Sequence, residues 1–153
     1  MLSDNKAYNK LITQFLKSKG FKNIKNFYNG EEGIAHLNLK PKIFIQDFDM
    51  GVMNGLDVLK EAKKIDDKIE FIFLSGQNSI EIAVEILKYG AFDYIIKDES
   101  AQTNLYNRLK KLLTIQALEK ENKLSKMGIL ILASTLAITL ASAFIYYYFI
   151  YSA

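Results

Sequence analysis

Residues 127–153 carry no charged side chain, and no other feature of this 153-residue chain limits its architecture so strongly. Residues 128–150 would form a helix about 35 Å long, enough to cross a hydrocarbon core about 30 Å thick. Four tyrosines lie near the far end, as in an aromatic belt at a membrane interface. A buried core helix is the alternative, but this length without a polar face favours a transmembrane helix over residues 127–151.

The charged residues before this tail are unevenly distributed. Residues 1–107 carry 14 basic and 15 acidic side chains, whereas residues 108–126 carry six basic and two acidic ones. The formal charge of +3 therefore comes from one short basic segment, which argues against broad nucleic-acid binding. Because basic flanks stay on the cytoplasmic side, we expect a single-pass protein whose N-terminal domain lies in the cytoplasm.

The chain has no cysteine and one histidine, His36. This composition excludes disulfides, thiolate metal sites and cysteine nucleophiles, and it leaves no multi-histidine metal site. A hydrolase that uses a histidine base is disfavoured for the same reason.

Residues 1–126 alternate between short apolar runs and amphipathic stretches. This alternation predicts a parallel sheet covered by helices on both faces. Buried strands are predicted at residues 43–46, 71–74 and 94–96, and a further short strand at residues 23–28. The first predicted helix covers residues 5–19, and Tyr8 and Leu11 lie on its apolar stripe. Asn78 is the predicted N-cap of a helix at residues 79–89. Further helices are predicted at residues 31–39, 56–64 and 100–126.

Polar side chains follow three of these strands directly. Asp47 and Asp49 follow the run at 43–46, Ser75 follows the next strand, Lys97 follows the last, and Asp4 begins the first helix. In parallel sheets such residues gather at one edge. Carboxylates there can hold a hard cation such as Mg²⁺, a lysine and a hydroxyl can bind phosphoryl oxygens, and one carboxylate can be a nucleophile.

Three segments resemble the receiver domains of two-component response regulators. Residues 43–55 (IFIQDFDMGVMNG) resemble the phosphoacceptor segment, and residues 71–76 (FIFLSG) resemble the fourth strand with its hydroxyl residue. Residues 83–97 (AVEILKYGAFDYIIK) resemble the fourth helix, the Gly-Ala turn and the fifth strand with its lysine. The resemblance implies a doubly wound, flavodoxin-like α/β fold with a parallel sheet in the order 2-1-3-4-5.

The resemblance also implies a phosphorelay function. Asp47 would accept the phosphoryl group from a sensor histidine kinase or a phosphotransfer protein, and Ser75 and Lys97 would hold the phosphoryl oxygens. Such a domain signals and is not an enzyme in the ordinary sense. The downstream protein is not identified by the sequence, and a homodimer stays open.

The same resemblance implies a metal site and a switch. Mg²⁺ would be bound by the side chains of Asp4 and Asp47 and by the backbone carbonyl of Asp49. Tyr94 matches the aromatic residue that changes rotamer on activation.

The sequence departs from the receiver pattern at its N-terminal end. Only three residues precede Asp4, so the first strand is largely missing, and Ser3 stands where the first of two acidic residues would be. Because that strand is central in this fold, its loss would leave its neighbours unpaired. Either the true start lies upstream or this is a damaged receiver.

Two residues that replace prolines also depart from the pattern. Asp98 follows Lys97, and we expect a trans peptide bond there because a cis bond without proline costs about 2.5–4 kcal/mol. Gly51 replaces a proline beside Asp47, which would loosen that loop.

These observations predict three parts: a receiver domain over residues 1–107, a long helix with a basic juxtamembrane segment over residues 100–126, and the transmembrane helix. The leading hypothesis is a phosphorylated receiver anchored in the bacterial cytoplasmic (inner) membrane, with membrane lipid as a partner and no nucleic acid. The alternative is a pseudo-receiver, a membrane-bound interaction module that takes no phosphate.

Overall fold

The computed structural model describes residues 1–51 and 53–151, and the chain divides into two compact units, Met1–Leu109 and a second that begins at Lys110. The first unit contains a parallel sheet in the order β1-β2-β3. Its strands are β1 (Ile43–Gln46), β2 (Glu70–Ser75) and β3 (Asp93–Ile96). These bounds agree with the three predicted buried strands to within a residue or two.

The helices begin and end close to the predicted bounds. They are α1 (Lys6–Ser18), α2 (Gly30–Ala35), α3 (Gly55–Ile65), α4 (Ile80–Lys88) and α5 (Ala101–Tyr151), and a 3₁₀ turn lies at Leu37–Leu39. Asparagine side chains cap α1, α2 and α3 by accepting a backbone N–H in the first turn. The predicted cap of α4 was wrong by one residue, because Ser79 and not Asn78 accepts the N–H of Ile82.

The sheet buries apolar side chains on both faces, as a doubly wound fold requires. Phe44, Phe71 and Phe73 pack on one face together with α3 and α4. Ile45 and Ile72 alternate with them and pack on the opposite face, against α1 and the first turns of α5. The predicted α/β class is therefore confirmed.

The N-terminal residues occupy the place of the missing central strand. Leu2 forms parallel bridges to Phe27 on one side and to Gln46 on the other, so the sheet order is a reduced form of 2-1-3-4-5. Its N–H donates to the carbonyl of Ile45 at 2.8 Å, and its carbonyl accepts from the N–H of Asp47 at 2.9 Å. Its neighbours are therefore paired, contrary to the expectation that loss of the first strand would leave them unpaired. The strand predicted at residues 23–28 is reduced to the one bridge at Phe27, because it has only this short partner.

The second unit consists of the described part of α5 from residue 110 to residue 151. Its apolar stretch is long and apolar enough to cross a membrane, and none of that stretch is buried. The hydroxyls of Ser134, Thr135, Thr139 and Ser142 all donate to carbonyls of the same helix at 2.8–2.9 Å. The last two residues of the uncharged tail lie outside the described residues.

Candidate functional site

Asp47 is the first residue after β1, and its carboxylate is buried. Its Oδ2 atom accepts hydrogen bonds from the ammonium of Lys97 and, at 3.2 Å, from the hydroxyl of Ser3. A buried carboxylate is stable only with such partners, because burial removes the water that would solvate its charge. The structure therefore brings together Asp47 and Lys97, two of the predicted site residues that are 50 positions apart.

Lys97 reaches Asp47 from the end of β3. Its backbone N–H donates to the carbonyl of Ser75 at 2.8 Å, which continues the pairing of β2 with β3 beyond the last strand residues. Its ammonium also lies 4.8 Å from the centre of the Tyr8 ring, within the range of a cation–π contact. The lysine side chain is 19% exposed, so solvent reaches the site on this side.

Ser75 ends β2 between these two residues. Its side chain is buried, and its hydroxyl oxygen accepts the backbone N–H of Gln77 at 3.1 Å. This bond fixes the oxygen and leaves the hydroxyl proton free to be donated. Asp47, Ser75 and Lys97 therefore lie at the same edge of the sheet, where the three strands end, as the sequence predicts.

Close packing around Asp47 depends on Gly55, the first residue of α3. A Cβ atom at Gly55 would lie 2.4 Å from the carbonyl oxygen of Asp47, so no other residue fits here without a backbone shift. The amide nitrogen of Gln46 donates to the carbonyl of Gly55 at 2.5 Å. In the loop between them, Gly51 has φ 74°, a conformation that proline cannot adopt.

A chain of hydrogen bonds links Asp49 with Tyr94 through Gln77. The Gln77 amide donates to Asp49 Oδ2 at 2.8 Å, and the Tyr94 hydroxyl donates to the Gln77 carbonyl at 2.6 Å. Because Gln77 also donates its N–H to Ser75, this one residue contacts three predicted site residues. Nothing in the local sequence pattern indicated Gln77.

Asp4 is exposed, at the residue before the N-cap of α1. Within residues 1–51 and 53–151, no group of three or more acidic or histidine side chains is arranged to hold a metal ion. The donors that remain are the carboxylates of Asp4 and Asp47 and the carbonyl of Asp49. They fit Mg²⁺ chemically, because Mg²⁺ takes oxygen ligands, keeps several waters and needs only one or two carboxylates.

Asp98 begins the turn into α5. Its Oδ1 atom accepts the hydroxyl of Ser100 at 2.7 Å and the N–H of Ser100 at 2.8 Å. These two hydrogen bonds lower the pKa of the Asp98 carboxyl. The expected trans bond between Lys97 and Asp98 is confirmed.

The family model of the response regulator receiver domain matches residues 1–110. The chain is 31% identical over 99 residues to the chemotaxis protein CheY of Thermotoga maritima, covering 63% of this chain and 82% of that protein. It is 30% identical over 115 residues to the transcriptional regulatory protein CssR of Bacillus subtilis, covering 75% of this chain and 50% of that protein.

Solved structures agree on the fold. A CheY-like receiver domain from Methanospirillum hungatei has a TM-score of 0.70 and 25% identity, covering 77% of this chain and 94% of that one. The structure of the CheX-CheY-BeF3-Mg complex from Borrelia burgdorferi has a TM-score of 0.68 and 23% identity, covering 73% of this chain and 85% of that one. The chain spans only 22% of another relative, the regulatory protein ZraR of Salmonella typhimurium, to which it is 31% identical over 100 residues.

Proposed function

This chain belongs to the response regulator receiver domain family, and on that premise we propose that Asp47 accepts a phosphoryl group from a sensor histidine kinase or a phosphotransfer protein. The observation that carries the proposal is the ion pair of the buried Asp47 carboxylate with Lys97, at the edge where three parallel strands end. A carboxylate and an ammonium in direct contact supply both a nucleophile and a cation for the oxygens of an incoming phosphoryl group.

The transfer forms a mixed anhydride on Asp47. A carboxylate oxygen of Asp47 bonds to phosphorus while the bond from phosphorus to the donor's imidazole nitrogen breaks, and the imidazole leaves with the electron pair. Lys97 then moves its contact from the carboxylate to a phosphoryl oxygen, and the Ser75 hydroxyl donates to another. Mg²⁺, when held by Asp4, Asp47 and the Asp49 carbonyl, supplies positive charge that offsets the charge of the phosphoryl oxygens.

Signal output follows from the contacts of Ser75. A phosphoryl group that accepts from the Ser75 hydroxyl would draw the Ser75 side chain toward it, and this oxygen is the one that accepts the N–H of Gln77, whose carbonyl holds the Tyr94 hydroxyl. We therefore propose Tyr94 as the switch residue, with output by contact with a downstream protein not yet identified. The domain is a phosphoacceptor and not an enzyme acting on other substrates.

The test uses the full chain in detergent micelles with Mg²⁺ and the small phosphodonor acetyl phosphate. Wild-type protein is expected to acquire a hydroxylamine-labile phosphoryl group, and Asp47→Asn is expected to acquire none. Asp49→Asn is the matched control, because it keeps the backbone carbonyl and so retains labelling. Chelation of Mg²⁺ should suppress labelling. Equal labelling of wild type and Asp47→Asn would refute the assignment.

A pseudo-receiver is the second candidate, and Ser3 favours it. A neutral hydroxyl contacts the Asp47 carboxylate where the receiver pattern places an acid, so the site has one fewer negative charge to attract a cation. A pseudo-receiver would show no labelling of the wild type at any Mg²⁺ concentration. Restored labelling in Ser3→Asp would then identify the missing acid as the cause.

We further propose that residues 127–151 anchor the protein as a single transmembrane helix, with residues 1–107 as a cytoplasmic receiver and residues 100–126 as the connecting helix. The uncharged stretch and the basic segment before it support a position in the bacterial cytoplasmic membrane. The anchor would hold the receiver near a membrane-bound kinase and raise their effective concentration.

Carbonate extraction of membranes tests the anchor. Wild-type protein should stay in the membrane pellet, and protease should reach residues 1–107 only from the cytoplasmic side. Ile138→Arg places a charge at the centre of the span at a cost of about 2.5–3.5 kcal/mol and should shift protein to the soluble fraction. Leu118→Arg, outside the uncharged stretch, should not. Release of wild-type protein from the membrane by carbonate would contradict the proposal of a transmembrane anchor.

A further inference from the structure

Tyr8 touches the phosphoacceptor site, although the sequence indicated only a core position for it. It is the third residue of α1, and its backbone N–H donates to the capping side chain of Asn5 at 3.0 Å. Its ring lies 4.8 Å from the Lys97 ammonium, the same ammonium that pairs with Asp47. The cation therefore has an aromatic contact in addition to its carboxylate partner.

The Tyr8 ring is also held in one place. It packs against the core cluster shared by α1, the sheet and α5. Its hydroxyl is shielded from solvent and has no hydrogen-bond partner in the described part of the chain. Burial, followed by the charges of Asp47 and Asp98, raises the pKa of this phenol. The ring is therefore a neutral, partly buried surface next to Lys97.

We propose that Tyr8 is a positioning residue whose ring holds the Lys97 ammonium beside Asp47, so that Lys97 stays within reach of the phosphoryl oxygens during transfer. This inference rests on the proposed phosphoacceptor function. A lysine side chain has four rotatable carbon–carbon bonds, and its ammonium leaves a single partner easily. A second contact on the ring face restricts it to the side of the site where Asp47 lies.

The ring, and not the hydroxyl, carries this role. Tyr8→Phe keeps the cation–π face and removes the unpartnered hydroxyl, so it should label as fast as wild type. Tyr8→Leu removes the face and should lower the labelling rate at saturating acetyl phosphate about two- to thirtyfold, the range expected for one cation–π contact.

Phe15→Leu is a matched control within the same helix. Phe15 packs against the same core cluster as Tyr8, and Lys19 lies 5.6 Å from its ring centre. Its substitution therefore removes an aromatic ring and a lysine contact from α1 without touching Lys97. Phe15→Leu should leave the labelling rate at the wild-type value.

Nuclear magnetic resonance of the full chain in micelles, with ¹³C at the lysine ε-carbons, gives a readout that needs no phosphorylation. The Lys97 signal, assigned by its loss in Lys97→Arg, should show an upfield ring-current shift in wild type, Tyr8→Phe and Phe15→Leu. Tyr8→Leu should abolish that shift.

Each outcome decides the proposal. A lost shift together with a slower rate, in Tyr8→Leu alone, supports it. An unchanged shift or an unchanged rate in Tyr8→Leu overturns it, as does a slow Tyr8→Phe, which would assign the role to the hydroxyl. If wild type is never labelled, the proposed function fails, while the ring-current shift still shows whether the ring holds Lys97.

Discussion

Replacing Leu2 with alanine is expected to destabilise the first unit strongly. Leu2 is fully buried, and its Cδ1 would lie 2.9 Å from a Cβ built on Gly33, which shows how tightly α2 packs on it. Burial of this kind makes a leucine-to-alanine change cost about 2–5 kcal/mol. A domain of this size loses about 4–8 °C of Tm for each kcal/mol, so a loss of about 8–40 °C is expected.

Calorimetry of the full chain in micelles measures this change. Leu11→Ala is the matched control, because Leu11 lies on α1 and is 47% exposed, so its truncation should change Tm by only about 2–4 °C. The backbone bonds of Leu2 to Ile45 and Asp47 are kept in the variant, which isolates the side chain. Equal Tm values for Leu2→Ala and Leu11→Ala would mean that Leu2 does not fill the centre of the sheet.

Two further predictions concern packing and pH. Gly55→Ala should lower both Tm and the labelling of Asp47, because its Cβ would lie 2.4 Å from the Asp47 carbonyl oxygen. Gly76→Ala is the control: its Cβ would meet nothing within 4 Å, so it should change neither quantity. Calorimetry measures Tm, and reaction with acetyl phosphate measures labelling. In a chain whose N-terminus is Met1, burial lowers the pKa of the α-amino group to about 5. The unfolded chain then binds more protons than the folded one between pH 5 and about 8, so the free energy of unfolding should rise with pH across this interval. Urea unfolding measures this free energy. A fall attributable to the α-amino group would contradict its lowered pKa.

Local pattern was sufficient for most of the fold. Residues 43–45 and 71–74 are apolar throughout because both faces of the sheet are covered, and this property can be read without knowing the partners. The run at residues 23–28 failed as a strand because its pairing depends on the three residues before Asp4, and propensity alone carries no information about a partner's length. Leu11 lies on the apolar stripe of α1 and is nevertheless half exposed, because the sheet covers only part of that stripe.

For the candidate site, the sequence predicted which side chains meet at the sheet edge but not the contacts between them. Asp47, Ser75 and Lys97 could be predicted together because parallel strands end at one edge. The contacts of Ser3, Tyr8 and Gln77 depend on side-chain directions across separate elements, which no local pattern specifies. The sequence predicts a core aromatic at Tyr8, because its helical spacing is that of the buried stripe, and that spacing also fits a ring beside Lys97.

Reductive trapping tests the central claim, the phosphoryl group on Asp47, most directly. Borohydride reduces an aspartyl phosphate to homoserine, so treatment of the full chain after reaction with acetyl phosphate and Mg²⁺ marks the acceptor permanently. Peptide mass spectrometry is expected to find homoserine at position 47 and nowhere else, and only when the phosphodonor is present. An unmodified Asp47, or homoserine at another aspartate, would contradict the account.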